Sequence, residues 1–243
     1  WYFTSLGDGY ESQIDQTNPD IVYSQAQYGA LTRYDKKSGE FLFIQPQEPE
    51  GEAYRWNWDA PLVISKYDNK RLYHGANKLF RTEDRGSTWK VISPDLTRQI
   101  DRNKLPVMGK VWSMDAVAKN GSTDIYGNIT TIAESKFEEN TVYVGTDDGL
   151  IQITNDGGAT WTKVDNIPGV PERTYVNHII TSQHDKNVAY VTFNHHRYGD
   201  LHPYVYKTAD GGKTWKAITS NLPERGTAYS IAEDHVSKDL LFV

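Results

Sequence analysis

The chain has 243 residues, 37% of them hydrophobic and 12% aromatic, which is ample for a packed core and far from a disordered composition. A formal charge of −6 argues against a general nucleic-acid binder, which needs a basic face to displace phosphate counterions. No apolar run approaches the ~20 residues that span a bilayer, so membrane insertion is not expected, and zero cysteines exclude disulfides, thiol catalysis and Cys-type zinc sites together.

In chain order, the first predicted unit covers 8–45. It opens on "GDGYE", with Asp8, Tyr10 and Glu11, and continues into "QIDQTNPDIVY". That pattern is an apolar run, a polar turn, then an apolar residue followed by an aromatic. It returns as "LVISKYDNKRLY", "TIAESKFEENTVY", "IITSQHDKNVAY" and "SIAEDHVSKDLLF". The aromatic positions, Tyr23, Tyr73, Tyr143, Tyr190 and Phe242, are spaced near 50 residues apart, with one gap of 70. A period near 50 in β-type sequence predicts an all-β fold, a β-propeller of four-stranded antiparallel blades.

The second unit, 58–94, is entered through "EAYRWNWDAP", which supplies Arg55, Trp56, Asn57, Trp58 and Asp59. An insertion over 95–127 explains the gap of 70 and carries "GKVWSMDAV", with Trp112 and Asp115. The third unit, 128–165, shows its strands most clearly, at 129–134, 141–146, 149–154 and 160–164, each short and bounded by Gly, Asp or Asn. The fourth, 176–220, contains "FNHHRYGDLHP", with His195, His196, Arg197, Tyr198, Asp200 and His202. The fifth, 228–243, stops within its second strand. About four and a third blades cannot close a ring, so the expectation is a piece of a larger propeller, completed by further chain or by another polypeptide.

A second motif occurs three times: "RTEDRGSTWKVI", "ITNDGGATWTKV" and "KTADGGKTWKAI". Each falls between the third and fourth strands of a blade, where a tight turn is required. Asp84, Asp156 and Asp210 can accept bonds from turn amides. Gly86, Gly158 and Gly212 can take positive φ. Trp89, Trp161 and Trp215 can pack between sheets. A calcium loop would need several oxygen ligands, and each copy offers one Asp. These residues read as structural. The first unit has "YDKKSGEF" in place of the motif, a degenerate turn.

The triplicate motif resembles the Asp-box, or bacterial neuraminidase repeat. With "GDGYESQIDQTNPDIVY", "YRWNWDAPLVIS" and "YVGTDDGLIQITNDGGATW", the chain is similar to large bacterial secreted propeller proteins of the sortilin-like or Asp-box glycosyl hydrolase type. The resemblance implies a propeller and a location that is extracellular, periplasmic or at the cell surface. It implies activity only loosely, because one fold hosts many functions. Sialidases use three arginines and an "RIP"-like segment, which is missing here. The xyloglucanase-type enzymes use two aspartates in a cleft between two propellers, and one incomplete propeller displays only half of such a cleft.

Blade topology locates the ligand end. The a–b turns are short and the c–d turns are the Asp-boxes, so the long connections at 45–57, 94–128, 165–175 and 194–203 gather at the opposite rim, where binding usually resides. Flat aromatics beside carboxylates and amides suit a glycan or a peptide. The ligand-binding candidates are therefore Arg55, Trp56, Trp58, Trp112, His195, His196, Arg197 and Tyr198. At least one of Trp56 and Trp58 is also a candidate for the core. Asp59 and Asp115 are the pair to test as acid and base of a glycoside hydrolase, which needs two carboxyl groups about 5–10 Å apart. The bland alternative is that Asp59 caps a strand and Asp115 forms a salt bridge. The histidine-rich segment has no zinc spacing, so neither a metal nor a cofactor is expected. Glycosylation sequons stand at Asn120 and Asn128. The leading expectation is an exported module that binds a glycan or peptide. A glycoside hydrolase and a protein-docking scaffold are the alternatives.

Overall fold

The computed structural model describes residues 3–5, 7–117, 119 and 125–243. Four sheets are four-stranded antiparallel meanders, each in simple sequence order. The first contains β1 (Gly9–Ile14), β2 (Ile21–Ala26), β3 (Leu31–Asp35) and β4 (Phe41–Phe43). The second contains β5 (Leu62–Ile64), β6 (Leu72–Gly75), β7 (Leu79–Thr82) and β8 (Lys90–Val91). The third contains β9 (Ile129–Glu134), β10 (Val142–Thr146), β11 (Ile151–Thr154) and β12 (Thr162–Val164). The fourth contains β13 (Tyr175–Thr181), β14 (Ala189–Asn194), β15 (Tyr204–Thr208) and β16 (Lys216–Ala217). A two-stranded sheet follows, β17 (Ala232–Glu233) and β18 (Leu241–Phe242). Among the described residues the only helical pieces are three short 3₁₀ turns. This is a propeller arc, and the first strands β1, β5, β9 and β13 lie side by side at its inner edge.

The recurring tyrosine explains why the blades stack. Tyr23, Tyr73, Tyr143 and Tyr190 are essentially fully buried. Each packs on the next sheet: Tyr23 on Leu62 and Leu72, Tyr73 on Ile129 and Ile132, Tyr143 on Val176 and Ile179, Tyr190 on Ala228 and Ile231. At two seams the hydroxyl also finds a carboxylate on the following blade. Glu134, 1% exposed, accepts from Tyr73 Oη (3.0 Å), Ser65 Oγ (2.9 Å) and the Lys66 amide (2.7 Å). Glu233 accepts from Tyr190 Oη and Ser182 Oγ, both at 2.9 Å, and from the Gln183 amide. The first seam lacks this clasp, because Ile64 stands where Glu134 and Glu233 stand. There Asp15, fully buried, receives Arg85 Nη2 from the second blade at 2.9 Å.

The Asp-boxes fasten the same seams from outside. In the third blade Asp156 Oδ1 accepts from Thr154 Oγ1 (2.8 Å) and the Thr160 amide (2.9 Å), and Oδ2 accepts from Thr160 Oγ1 (2.6 Å). Asp84 and Asp210 repeat the pattern. Such bonding lowers the Asp156 and Asp210 carboxyls to a pKa of about 2, with the Thr160 and Thr214 hydroxyls as the leading cause. The box glycines sit at positive φ, +83° for Gly86 and +101° for Gly158. A Cβ on Gly158 would lie 2.1 Å from the Ile92 carbonyl oxygen of the preceding blade, so only glycine permits this approach. Trp89 Nε1 donates to Ile44 O (2.6 Å) and Trp161 Nε1 to Ile92 O (3.3 Å), again across the seam. The motif is stitching between blades.

Candidate functional site

In each meander the b–c and d–a connections leave the sheet at the end opposite the Asp-box turns. Four of these connections converge on a depression of about 300 Å³, lined by Asp59, Thr130, Tyr175, Asn177, Asn194, His196, Arg197 and Tyr229. Asp59 comes from the entry to β5, Tyr175 and Asn177 from the start of β13, Asn194 to Arg197 from the loop after β14, and Tyr229 from the segment before β17. The register break between Val176 and His178 falls here, at the rim end of β13.

A hydrogen-bonded floor fixes these side chains. Asn57 Nδ2 donates to Asn128 Oδ1 (2.6 Å) and to Tyr175 Oη (3.3 Å), while Asn57 Oδ1 accepts from the Asp59 amide (2.9 Å). The Asn128 and Gly127 amides donate to the buried Asp147 carboxylate, at 2.8 and 3.0 Å. The Arg197 guanidinium lies 5.8 Å from the Tyr175 ring centroid. Asn194 Oδ1 accepts from the His196 amide (3.0 Å) and also meets the His196 ring. The Tyr229 carbonyl receives Thr192 Oγ1 (3.3 Å) and Asn177 Nδ2.

Burial sets the electrostatics. It raises the Asp59 carboxyl above its ordinary range. It pushes Asp147 up to about 8, and the neighbouring Asp148 charge adds to this while the backbone amides and Arg197 oppose it. Tyr175 is likewise raised by burial, with further increments from Asp147 and Asp59. One weakly solvated carboxyl group, a phenol and a guanidinium therefore share one mouth, with the buried Asp147 behind them on the Gly127 and Asn128 amides. Such a set can donate and accept hydrogen bonds at neutral pH.

An elevated Asp147 has a consequence for folding. The unfolded chain releases this proton near pH 4 and the native state near 8, so stability is fully present below about 4 and is lost as pH rises toward 8. Asp147→Asn is expected to flatten that decline, by up to about 1.4 kcal/mol per pH unit. Urea midpoints of both proteins from acid to mildly alkaline pH check this. Parallel profiles would contradict it.

The structure sorts the candidates from the sequence. Asp59, His196 and Arg197 come together in the depression. Asp115 does not line it; that carboxyl is exposed in the insertion and is held below its usual range by a Ser113 hydrogen bond, so the geometry does not bring the Asp59–Asp115 pair together there. Arg55 is occupied elsewhere, with Nη2 on Asp95 at 2.7 Å and Nε on the Gly127 carbonyl at 2.9 Å. Trp56 is core, 5% exposed and stacked on Phe80 at 5.5 Å. Trp58 is partly exposed, edge-on to Tyr28 (4.9 Å) and Tyr10 (6.4 Å). Trp112 lies in the insertion with the Lys110 ammonium 4.6 Å over its ring. His195 meets Thr174 Oγ1 through Nδ1 (3.0 Å) and stacks on the exposed Tyr198 at 4.4 Å. Asn128 is buried, with its amide used in the floor, so its sequon offers no accessible acceptor; Asn120 lies outside the described residues. Sequence reasoning missed Tyr175, Asn177, Tyr229 and Asp147. The paired acids of "GTDDG" in a b–c turn were the available signal for Asp147.

The Sortilin-Vps10 family, described as sortilin, neurotensin receptor 3, matches residues 108–241, more than half of the chain. The chain belongs to this family. Among curated relatives, a xyloglucanase of a Paenibacillus species is 31% identical over 231 residues, 85% of this chain and 20% of that protein. A xyloglucanase of Acetivibrio thermocellus is 23% identical over 257 aligned residues, 92% of this chain and 28% of its own length. This Sortilin-Vps10 chain thus spans less than a third of either relative. Of solved structures, the GH74 xyloglucanase from Xanthomonas campestris aligns with a TM-score of 0.65 at 13% identity, over 96% of this chain and 35% of that one. The Dos1 propeller aligns with a TM-score of 0.57 at 13% identity, over 90% and 51%. At these identities the structures show a shared propeller fold. No helix among the described residues of the family member is long and apolar enough to cross a membrane.

Proposed function

We propose that this chain is part of an exported propeller that binds a glycan at the rim depression bounded by Asp59, Tyr175, His196, Arg197 and Tyr229. The observation that carries the reading is convergence: four rim connections bring an acid, an amide pair, two phenols, an imidazole and a guanidinium to one mouth of about 300 Å³. Sugar hydroxyls need donors and acceptors side by side, and their apolar ring faces need an aromatic wall. Tyr229, 56% exposed, offers such a wall. The xyloglucanase relatives support a glycan over a peptide.

The test is titration calorimetry with xyloglucan oligosaccharides, against a proline-free peptide of similar size as the competing ligand class. Tyr229→Ala is expected to weaken oligosaccharide binding by at least tenfold, as truncated aromatic anchors do. Binding of the peptide alone, or an unchanged affinity in the variant, would contradict the assignment.

A hydrolytic reading is favoured by one specific observation. Asp59 lines the depression beside Tyr175 and Arg197, and burial holds its carboxyl toward the protonated form. Glycoside hydrolysis needs one such carboxyl as proton donor. On this reading Asp59→Asn abolishes turnover while oligosaccharide binding survives.

A further inference from the structure

A second concavity opens on the same rim. It encloses about 270 Å³ between the start of the 94–128 connection, the b–c turn at Gly149 and the 165–175 connection. Ile167, Val170 and Phe193 make one wall apolar, and two guanidinium groups, those of Arg98 and Arg173, face the same space. Arg98 is fixed in place: Nε donates to Asp148 O (2.8 Å) and Nη2 to Asp165 O (3.1 Å), while Nη1 has no partner among the described residues. Arg173 is half-buried, yet among the described residues it makes no hydrogen bond or ion pair. Its backbone is held in the left-handed region, at φ 60°. The Thr174 amide and Thr174 Oγ1 close that turn on Pro171 O, at 3.3 and 2.7 Å. Gly149 presses on it, since a Cβ there would lie 2.8 Å from Arg173 Cα. A left-handed arginine persists only where its surroundings dictate it, and such residues cluster at ligand sites.

The acids nearby leave Arg173 unanswered. Asp148 offsets Arg98 in part, but its buried carboxylate is taken up by the Arg98 amide (2.7 Å) and Thr146 Oγ1 (2.6 Å). Asp165 is ion-paired to Lys163 at 3.1 Å. Glu172 is exposed and pairs with neither arginine. A planar anion with two oxygens suits a guanidinium whose N–H groups are unspent. The concavity also adjoins the depression. Thr174 lines it and meets His195 Nδ1 through Oγ1 at 3.0 Å, and the residues that follow these two, Tyr175 and His196, line the depression. Resting on the glycan reading of that depression, we propose that the concavity is a subsite for an acidic sugar: Arg173 and Arg98 Nη1 bind the carboxylate of a uronic acid unit, against the wall of Ile167 and Val170.

Titration calorimetry of the full chain with tetragalacturonate and with its methyl ester tests this, because the ester keeps the sugar and loses the charge. The acid should bind at least about tenfold more tightly, a preference that shrinks as salt is raised. Arg173→Gln should erase the preference and leave the ester's affinity and the melting temperature unchanged, since the side chain makes no bond among the described residues. Arg173→Lys should restore part of it. Tyr229→Ala, at the depression, should weaken acid and ester alike. Equal affinity for acid and ester in the unmodified chain overturns the subsite and leaves the glycan reading standing. Binding of neither also overturns it, and xyloglucan oligosaccharides then show whether the glycan reading falls with it. A preference that survives Arg173→Gln takes the carboxylate out of this concavity. Inorganic phosphate that binds through Arg173 while acid and ester bind alike would make this a site for free anions, against the proposal.

Discussion

Glu134→Ala is expected to destabilise the protein by on the order of 3–5 kcal/mol. The carboxylate is 1% exposed and serves three donors on the preceding blade: the Tyr73 hydroxyl, the Ser65 hydroxyl and the Lys66 amide. Each donor stranded in the seam costs about 1–3 kcal/mol, with partial relief where water can enter. Glu134→Gln should lose less, since its amide oxygen can still accept from one or two of the three. Urea denaturation followed by tryptophan fluorescence measures both. A loss below about 1 kcal/mol for the alanine variant would mean that the clasp merely accompanies blade packing.

Trp215→Ala should be of similar size, about 3–5 kcal/mol. Its ring is 6% exposed and belongs to the cluster that joins the third and fourth blades, with Tyr143 and Ile153. The indole N–H donates to the Gly212 carbonyl of its own turn at 3.1 Å. The truncation removes both the largest apolar group of that corner and a bond that fixes the turn. Thermal unfolding should shift downward by several degrees, and oligosaccharide affinity measured on the remaining folded protein should be unchanged.

The fold was legible because its determinants are periodic. Tyr23, Tyr73, Tyr143 and Tyr190 recur at blade spacing, since each seam needs the same large side chain at the same place. The Asp-boxes recur because each outer turn solves the same hydrogen-bonding problem. The third blade shows how close this comes: the predicted inner strand at 129–134 is observed as Ile129–Glu134, whereas the outer strand expected at 160–164 begins at Thr162. Asp156 and its partners use Thr160 as part of the turn, which shortens the strand. Meander parity also placed the long connections at the end opposite the Asp-boxes. What it could not supply was the inward or outward direction of a side chain in an aperiodic loop. In "YRWNWDAP", Trp56 turned to the core, Arg55 went to Asp95, and Asn57 and Asp59 went to the depression. Tyr175 and Tyr229 were hidden for a related reason: they come from different blades and meet only when the arc forms.

The division of labour between rim and boxes is tested most directly by one paired titration. Xyloglucan oligosaccharide affinity is measured for the unmodified chain, for Arg197→Ala with Tyr229→Ala at the depression, and for Asp156→Ala at an Asp-box, all at a temperature where each remains folded. The rim variant should lose at least tenfold in affinity and the box variant should match the unmodified chain. Affinity lost in Asp156→Ala and retained at the rim would place binding at the opposite end of the blades and contradict the account.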